Sequence, residues 1–163
     1  MIVRKAKYSD LDEMMVIVRQ AQSDLKQMNV DQWQNGYPNK EVLMKDIEFN
    51  KAYVLEDDSV IGLMVCSVND ETTYNPLNTW IEKEYMVIHR FAVHSDVQRK
   101  GCASFLISEA VKMAKSLNLN SLRIDTHEKN VRMRRFLNKN QFEERGIIYL
   151  KDGNPRIAYE LLF

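Results

Sequence analysis

Cysteine, glycine and proline are scarce in this sequence, which has two, five and three of them among its 163 residues. Cys66 and Cys102 are too few for a disulfide framework and lack the spacing of a metal site, which favours a reducing cytoplasm. Neither sign of charge is in excess, because 23 basic residues balance 23 acidic ones. No apolar run approaches the ~20 residues of a membrane span. The sequence therefore predicts no nucleic-acid partner and no membrane partner.

What is present describes an ordinary globular protein, with 45% hydrophobic and 28% charged residues. The length predicts one domain over residues 1–163. The first five residues, Met1–Lys5, begin a strand pattern and not a secretion signal. The chain shows no repeat, low-complexity tract or linker.

Alternating and helical patterns of apolar residues predict an α/β chain. The predicted strands are 2–6, 52–55, 60–66, 85–93, 121–126, 141–150 and 156–162. A first helix follows Ser9-Asp10, which we expect to cap it, and a second, short helix turns Val42, Ile47 and Phe49 inward. Two further helices are predicted over 103–115 and 130–140. This order is typical of a largely antiparallel sheet with one internal crossover.

The most informative stretch is Gln98-Arg99-Lys100-Gly101-Cys102-Ala103, which lies between a predicted strand and a predicted helix. A loop that enters a helix gathers unpaired backbone N–H groups and the positive end of the helix dipole, and both suit a phosphate. Gly101 lets the backbone approach closely, while the amide and basic side chains before it add donors. The alternative is a solvated basic helix start with a small residue at a packing contact.

The six residues fit the pattern Arg/Gln-x-x-Gly-x-Gly/Ala, the pyrophosphate-binding loop of the GNAT family of N-acetyltransferases. The order of elements resembles that family over essentially the whole chain, and most specifically from Ile88 to Phe142. The resemblance implies an α/β GNAT fold, with a mixed, mostly antiparallel seven-stranded sheet flanked by about four helices. It also implies acetyl-CoA as cosubstrate and no metal.

In the family the fourth and fifth strands splay apart, and the pantetheine arm of CoA pairs with main-chain groups of the exposed edge. The resemblance implies that the loop takes the pyrophosphate and that the Asn130 amide meets the CoA arm. The CoA-binding residues so implied are Phe91, Ala92, Val93, Gln98, Arg99, Lys100, Gly101, Cys102, Ala103, Ser104, Asn130, Met133 and Phe136. The alternatives are helix capping by Asn130 and core packing by Met133 and Phe136.

Two positions depart from the family pattern. The family often has a tyrosine that protonates the departing CoA thiolate, where this chain has Leu137, and Gln141 replaces the glycine that usually precedes Phe142. Leucine cannot donate a proton. Tyr149 and Tyr159 on the closing hairpin are the candidates to replace it. Otherwise the thiolate leaves unaided, since a thiol of pKa ~8.5 is a tolerable leaving group.

Aminolysis of a thioester needs an uncharged amine, so a group must take a proton from the ammonium form. His89 shares one face of the fourth strand with Val87 and Phe91, on the strand that the resemblance places beside the thioester. Because an imidazole exchanges its proton near neutral pH, His89 is the candidate base. A structural histidine is the alternative.

Asp125, near the end of the fifth strand, is a second candidate catalytic residue, which could orient His89 or bind a substrate ammonium. A salt bridge to Arg123 or Arg90 would explain it equally well. A metal site built from the three histidines is not favoured, because no pair of them has a helical or hairpin ligand spacing.

Four aromatic residues in irregular segments are the candidates for acceptor binding: Trp33, Tyr37, Tyr74 and Trp80. Aromatic side chains on loops beside a scaffolded site commonly form ligand walls. They equally often pin a loop to the surface, so both interpretations stay open. The Trp-x-x-Gly-Tyr-Pro loop also resembles a subgroup of bacterial GNAT proteins, which does not name an acceptor.

The sequence thus favours an acetyl-CoA-dependent N-acetyltransferase that acts on a small amine or a peptide amine by direct transfer within a ternary complex. Transfer of a longer acyl group is one alternative, with Met64, Met86 and Met133 widening the channel. A non-catalytic acyl-CoA sensor or interaction module is the other, since the family tyrosine is missing. The acceptor is not fixed by the sequence, and a homodimer is left open.

Overall fold

The computed structural model describes residues 1–98 and 100–163, which form seven β-strands and four α-helices. The strands are β1 (Ile2–Lys5), β2 (Ala52–Asp57), β3 (Ser59–Val68), β4 (Met86–Val93), β5 (Ser121–Thr126), β6 (Glu143–Tyr149) and β7 (Pro155–Leu162). The helices are α1 (Leu11–Gln27), α2 (Lys40–Glu48), α3 (Cys102–Ser116) and α4 (Val131–Lys139). Among the described residues, none of the helices has both the length and the apolar composition that a membrane span requires.

The strands are hydrogen-bonded in the order β1-β2-β3-β4-β5-β7-β6. The pairs β1–β2, β2–β3, β5–β7 and β6–β7 are antiparallel, whereas β4 and β5 are parallel. Over the described residues, the parallel register comprises Met86 with Leu122 and Val87 with Arg123. The helix α3 connects these two strands, so the predicted crossover in a largely antiparallel sheet is confirmed.

The contacts within the chain define two compact units, of which the first comprises residues 1–66 and 89–109. Its core joins one face of α1 to α2, β2 and β3. Fully buried members of this core are Met14, Ile17, Val18, Leu43, Val54, Leu63 and Val65. The spacing of the three α1 residues is that of one helix face, which confirms the amphipathic first helix. Each such side chain contributes about 1.5–3 kcal/mol by leaving water.

The second unit comprises residues 67–88 and 110–163. Its core includes the irregular segment 69–85, whose aromatic side chains pack against β6 and β7. The members are Tyr74, Tyr85, Val87, Ile148 and Ala158, with Leu77, Trp80 and Leu150 packed around them. Gly146 lets Leu77 approach, since a Cβ there would lie 2.9 Å from a Leu77 methyl carbon. A polar stretch without periodicity is therefore fixed by its few large side chains.

The second helix corrects one expectation. Phe49 is 67% exposed, while the buried face of α2 consists of Leu43, Asp46 and Ile47. The side chain of Asn39 caps the helix by accepting from Val42 N at 2.9 Å, and α2 ends at Glu48. Phe49 follows the end of the helix, so the helical spacing that predicted it to face inward no longer applies.

Asp10 also differs from its expected role. Its side chain makes no capping hydrogen bond to α1, and residues Tyr8–Asp10 form a short 3-10 helix instead. The Asp10 carboxylate accepts from Lys7 N at 2.7 Å and pairs with Arg4 at 2.8 Å. The Asp10 side chain thus stabilises β1 and the turn before α1, and it does not cap α1.

Candidate functional site

The predicted phosphate loop follows β4 through a short 3-10 helix, Ser95–Val97, and leads into α3. Arg99 lies outside the described residues. Lys100 N donates to Val97 O at 3.2 Å, and Phe105 N donates to Gly101 O at 2.9 Å. Gly101 has φ +83°, which a side chain would strain, and an added Cβ would meet nothing within 4 Å. The backbone at the entry of α3 therefore borders open space, as a phosphate cradle requires.

Cys102, Ala103 and Ser104 form the first turn of α3. The Cys102 side chain is buried, with its Sγ 3.7 Å from the sulfur of Met1, while Ala103 and Ser104 are half-buried. Cys66 is also buried and free, and burial raises the pKa of its thiol to about 12. Both thiols thus have packing roles, and CoA binding by residues 102–104 stays a prediction.

Helix α1 holds the chain before this loop. Gln20 Oε1 accepts from Ser95 N at 3.1 Å, and Gln20 Nε2 lies 3.1 Å from His94 Nε2. One turn later, Asp24 accepts from Gln98 Nε2 at 3.4 Å. Residues 20 and 24 lie on one face of a helix, so a single surface of α1 fixes the approach to the phosphate loop.

The aromatic loop between α1 and α2 is held by the same helix. Gln22 Nε2 donates to the carbonyls of Tyr37 and Pro38, at 2.9 and 3.2 Å, and Gln34 Nε2 donates to Gln22 O at 3.0 Å. Trp33 is partly buried against the core of the first unit, whereas Tyr37 is 45% exposed. The two predicted acceptor residues of this loop therefore differ: one pins the loop and the other remains accessible.

Asp125 lies on β5, where its Oδ2 accepts from the Tyr74 hydroxyl at 2.7 Å. Burial raises the pKa of the Asp125 carboxyl to about 6, although the hydrogen bond from Tyr74 favours the ionised form. The alternative of a salt bridge to Arg123 or Arg90 is wrong, because Arg123 lies 3.6 Å from Glu160 and Arg90 pairs with Asp46. Asp125 is therefore held by Tyr74 and not by an ion pair with Arg123 or Arg90, and its catalytic role stays a prediction.

Tyr74 and Trp80 lie inside the second unit and touch each other. Tyr74 is 1% exposed, Trp80 Nε1 donates to Tyr74 O at 3.0 Å, and the two ring centroids are 5.1 Å apart. The Trp80 ring also stacks 4.1 Å from the Arg123 guanidinium. Acceptor contact by these two residues stays a prediction, and their visible contribution is to pack segment 69–85.

A buried charge network in the second unit was not anticipated. Glu160 is 0% exposed and accepts from Ile81 N at 3.0 Å, Arg145 Nε at 2.7 Å and Ser121 Oγ at 2.9 Å. Burial alone would raise the pKa of Glu160, but these donors outweigh it and lower the pKa. Within the described residues Arg123 Nε has no hydrogen-bond partner and faces Glu160 at 3.6 Å. The single acidic residue of β7, which lies among the apolar residues of 157–162, was the available signal.

Helix α4 begins where the resemblance requires. Asn130 Oδ1 accepts from Met133 N at 3.2 Å, so its capping role is confirmed, while its contact with CoA stays a prediction. Met133 and Phe136 are half-buried, and Leu137 is fully buried. The position of the family tyrosine is therefore occupied by a core residue.

The two tyrosines considered as replacement acids lie in different surroundings. Tyr159 is buried on β7, and its hydroxyl accepts from Arg134 Nε at 3.1 Å. Tyr149 is 63% exposed at the end of β6. A phenol that accepts from a guanidinium keeps its own proton to donate, so the role of either tyrosine as the replacement acid stays a prediction.

The histidines are engaged in local contacts. His89 lies half-buried on β4 and has hydrogen-bonding or electrostatic partners. His94 Nδ1 accepts from Asp96 N at 3.2 Å, and His127 Nδ1 accepts from Lys129 N at 3.0 Å. Among the described residues, no three His, Cys, Asp or Glu side chains form a group that could hold a metal ion. The catalytic role of His89 stays a prediction.

The mixed seven-stranded sheet with its parallel β4–β5 pair is the fold of a class of α/β proteins that includes the GNAT acetyltransferases. A family model described as the acetyltransferase (GNAT) family matches residues 19–142, and the chain belongs to this family. The α/β GNAT fold with seven strands and four helices in the described residues is thereby confirmed. A comparison with curated proteins finds no match.

Solved structures support the same assignment. A GNAT-family acetyltransferase from Streptococcus agalactiae is 28% identical with a TM-score of 0.90, covering 99% of this chain and 95% of that one. One from Listeria monocytogenes is 18% identical with a TM-score of 0.74, covering 99% and 94%. A ribosomal-protein-alanine N-acetyltransferase from Brucella melitensis is 16% identical with a TM-score of 0.72, covering 100% of both chains. The last two share the fold with this chain.

Proposed function

We propose that this protein is an acetyl-CoA-dependent N-acetyltransferase, which moves an acetyl group to a primary amine of a small molecule or peptide by direct transfer in a ternary complex. Gly101 is the observation that carries the proposal. In a chain of the GNAT family, it has a left-handed backbone at the entry of α3, with open space where a side chain would lie. We also propose that the chain acts as one domain over residues 1–163, in the cytoplasm.

Acetyl-CoA would be held mainly by backbone groups. The N–H groups of residues 101–104 and the dipole of α3 suit the pyrophosphate, and the side chains of Gln98 and Lys100 add an amide and a positive charge. Main-chain groups of Phe91, Ala92 and Val93 would bind the pantetheine amides, and Asn130 its neighbouring amide. Met133 and Phe136, both half-buried, would then contact the arm.

The chemistry needs one proton to be removed before transfer. The acceptor loses a proton to a base, for which we propose His89, and its amine nitrogen attacks the thioester carbonyl. The C–N bond forms as the C–S bond breaks, the electron pair leaves on the sulfur of CoA, and the nitrogen loses its second proton to solvent to give the neutral amide. Asp125 would bind the ammonium form of the acceptor beforehand. Because a thiol of pKa ~8.5 leaves readily, the CoA thiolate departs without an acid at Leu137 and takes its proton from solvent.

A non-catalytic acyl-CoA sensor is the second candidate, and one observation favours it. Leu137 is fully buried, so no proton donor stands where the family often has its tyrosine. A sensor would keep the CoA loop and lose turnover. The two candidate functions therefore share CoA binding at the loop of Gly101 and differ in whether the acyl group is transferred.

The deciding experiment measures binding and transfer separately. Calorimetry with CoA tests the loop, and a panel of primary amines with acetyl-CoA tests transfer by release of the free thiol and by the mass of the acetylated product. We expect both binding and transfer. Binding without transfer to any small or peptide amine would support the sensor, and absence of CoA binding would contradict both candidates.

A further inference from the structure

Tyr74 acts through its hydroxyl, because its ring is enclosed. The residue is 1% exposed, its carbonyl is bound by Trp80 Nε1, and its ring packs on Trp80 and Tyr85 with centroids 5.1 and 6.1 Å away. Within residues 1–98 and 100–163 the hydroxyl makes one hydrogen bond, at 2.7 Å to Asp125 Oδ2. The phenol is therefore a fixed donor aimed at one carboxylate oxygen.

The Asp125 carboxyl has a pKa of about 6 and no direct ion-pair partner among the described residues. Over the described residues it forms no salt bridge, and its Oδ1 has no hydrogen-bond partner. The groups that act on it are Tyr74, Glu71 and Arg156: the tyrosine and the arginine favour the ionised form, and the glutamate opposes it. A partly buried carboxylate with one oxygen committed and one open is suited to an incoming cation.

We propose that Tyr74 is a positioning residue of the acceptor site, which holds Asp125 so that its open oxygen accepts a hydrogen bond from the ammonium group of a cationic amine. The inference rests on the proposed function, since it names the class of acceptor that this site takes. The acceptor site would then be specific for amines that bind in the ammonium form, because the ammonium group neutralises the Asp125 carboxylate.

The hydrogen bond serves two purposes at once. It fixes the direction of the carboxylate, because the buried ring leaves the phenol one orientation. It also favours the ionised carboxylate, which is the form that attracts a cation. Removal of the hydroxyl alone should therefore alter both the titration of Asp125 and the affinity for the amine.

The first test is a carboxyl titration by NMR on protein labelled with ¹³C-aspartate. Asp125→Asn identifies the signal. In Tyr74→Phe, the midpoint should move up by about one pH unit, because the lost donor stabilised the charged form. Tyr85→Phe is the matched control: its hydroxyl, in the same cluster, donates to Glu71 O at 3.4 Å. It should leave the midpoint unchanged, and equal midpoints in wild type and Tyr74→Phe would overturn the inference.

If Tyr74→Phe does not fold, the wild-type chain can be labelled globally with 3-fluorotyrosine. A more acidic phenol is a stronger donor, so the Asp125 midpoint should then move down. An unchanged midpoint in this labelled protein would overturn the inference as well.

The second test separates KM from kcat with n-butylamine, which is a cation at neutral pH. Tyr74→Phe should raise its KM about tenfold while kcat changes less than about twofold, as expected for lost ground-state positioning. An unchanged KM would overturn the inference while the proposed function stands. If wild type acetylates no amine, the proposed function fails, and the titration still decides whether Tyr74 holds Asp125.

Discussion

Arg90 donates two hydrogen bonds to the buried carboxylate of Asp46, from Nε to Oδ2 at 2.6 Å and from Nη2 to Oδ1 at 2.5 Å. Its Nη1 donates to the Tyr37 hydroxyl at 2.9 Å, and its backbone has φ +43° within β4. One side chain therefore ties β4 to α2 and to the aromatic loop. An unusual strand conformation is kept by a bidentate ion pair.

Replacing Arg90 should lower the free energy of unfolding more than removing the Tyr37 hydroxyl that Arg90 contacts. In Arg90→Met, the Asp46 carboxylate is left buried without a cation, so we expect the free energy of unfolding to fall by about 3–5 kcal/mol. Tyr37→Phe leaves the ion pair and should cost at most about 1 kcal/mol. Urea unfolding of both variants checks this. Equal losses would contradict it, and the double variant Arg90→Met with Asp46→Leu should recover much of the stability.

Gly101 and Gly153 form a matched pair for the phosphate loop. They have φ +83° and +85°, and an added Cβ at either would meet nothing within 4 Å. Alanine at each should cost about 1–2 kcal/mol of stability through the same backbone strain. In Gly101→Ala, CoA affinity by calorimetry should also fall about tenfold, since a methyl group would stand where the phosphate approaches. A similar loss in Gly153→Ala, or none in Gly101→Ala, contradicts the loop assignment.

His89→Gln tests the base. A general base contributes about 10²–10⁴-fold, so kcat should fall within that range while CoA affinity stays close to wild type. The rate at saturating amine should decline in acid as the imidazole of wild type protonates, and the variant should lose this limb. The measurement is the pH–rate profile of both proteins with one acceptor. If the acidic limb of the pH–rate profile persists unchanged in the variant, the limb belongs to another group. If the variant loses both stability and CoA affinity, His89 is a structural histidine.

Asp125→Asn should stabilise the protein at pH 8. Burial raises the pKa of Asp125 from 3.8 to about 6, so the folded state binds more protons than the unfolded state between these values. The stability linked to this group is present below pH 4 and is lost as pH rises through about 6. Asparagine accepts from Tyr74 without a charge, so the gain at pH 8 should be about 1–3 kcal/mol and should vanish near pH 4. Thermal unfolding at both pH values checks this, and a loss of stability at pH 8 contradicts it.

Arg145 pairs with a buried carboxylate, Glu160, and an exposed one, Glu143. The variants Glu160→Gln and Glu143→Gln compare how much each ion pair contributes to stability. The Glu143 side chain is 72% exposed, whereas that of Glu160 is fully buried. Loss of the Glu160 charge leaves Arg123 buried without its counter-ion and should cost about 3–5 kcal/mol. Loss of the Glu143 charge should cost about 0–1 kcal/mol. Comparable denaturation midpoints in urea for the two variants would contradict the central role of Glu160.

The elements of the fold were predictable where the pattern is local. Strand β5 has the predicted bounds, Ser121–Thr126, because the apolar Leu122 and Ile124 alternate with polar residues at the two-residue period of a strand. Asn130 marks the start of α4 through its own side chain. Phe49 was mispredicted because periodicity carries no information on the residue at which a helix ends.

The candidate site was predictable only in part, because its polar contacts join distant residues. Tyr74 and Asp125 are 51 positions apart, and Glu160 and Ile81 are 79 apart. Composition and periodicity do not specify such pairs. The phosphate loop is different, because its backbone geometry depends on a glycine that can be read from the sequence.

The bonds from Ile81 N and Glu82 N to Glu160 have a consequence for evolution. Both donors are main-chain groups, so the anchor of this segment does not depend on which side chains occupy positions 81 and 82. Any residue except proline supplies the same N–H. These two positions can therefore drift in sequence between related proteins, while the buried glutamate keeps the segment attached to the same place on the sheet.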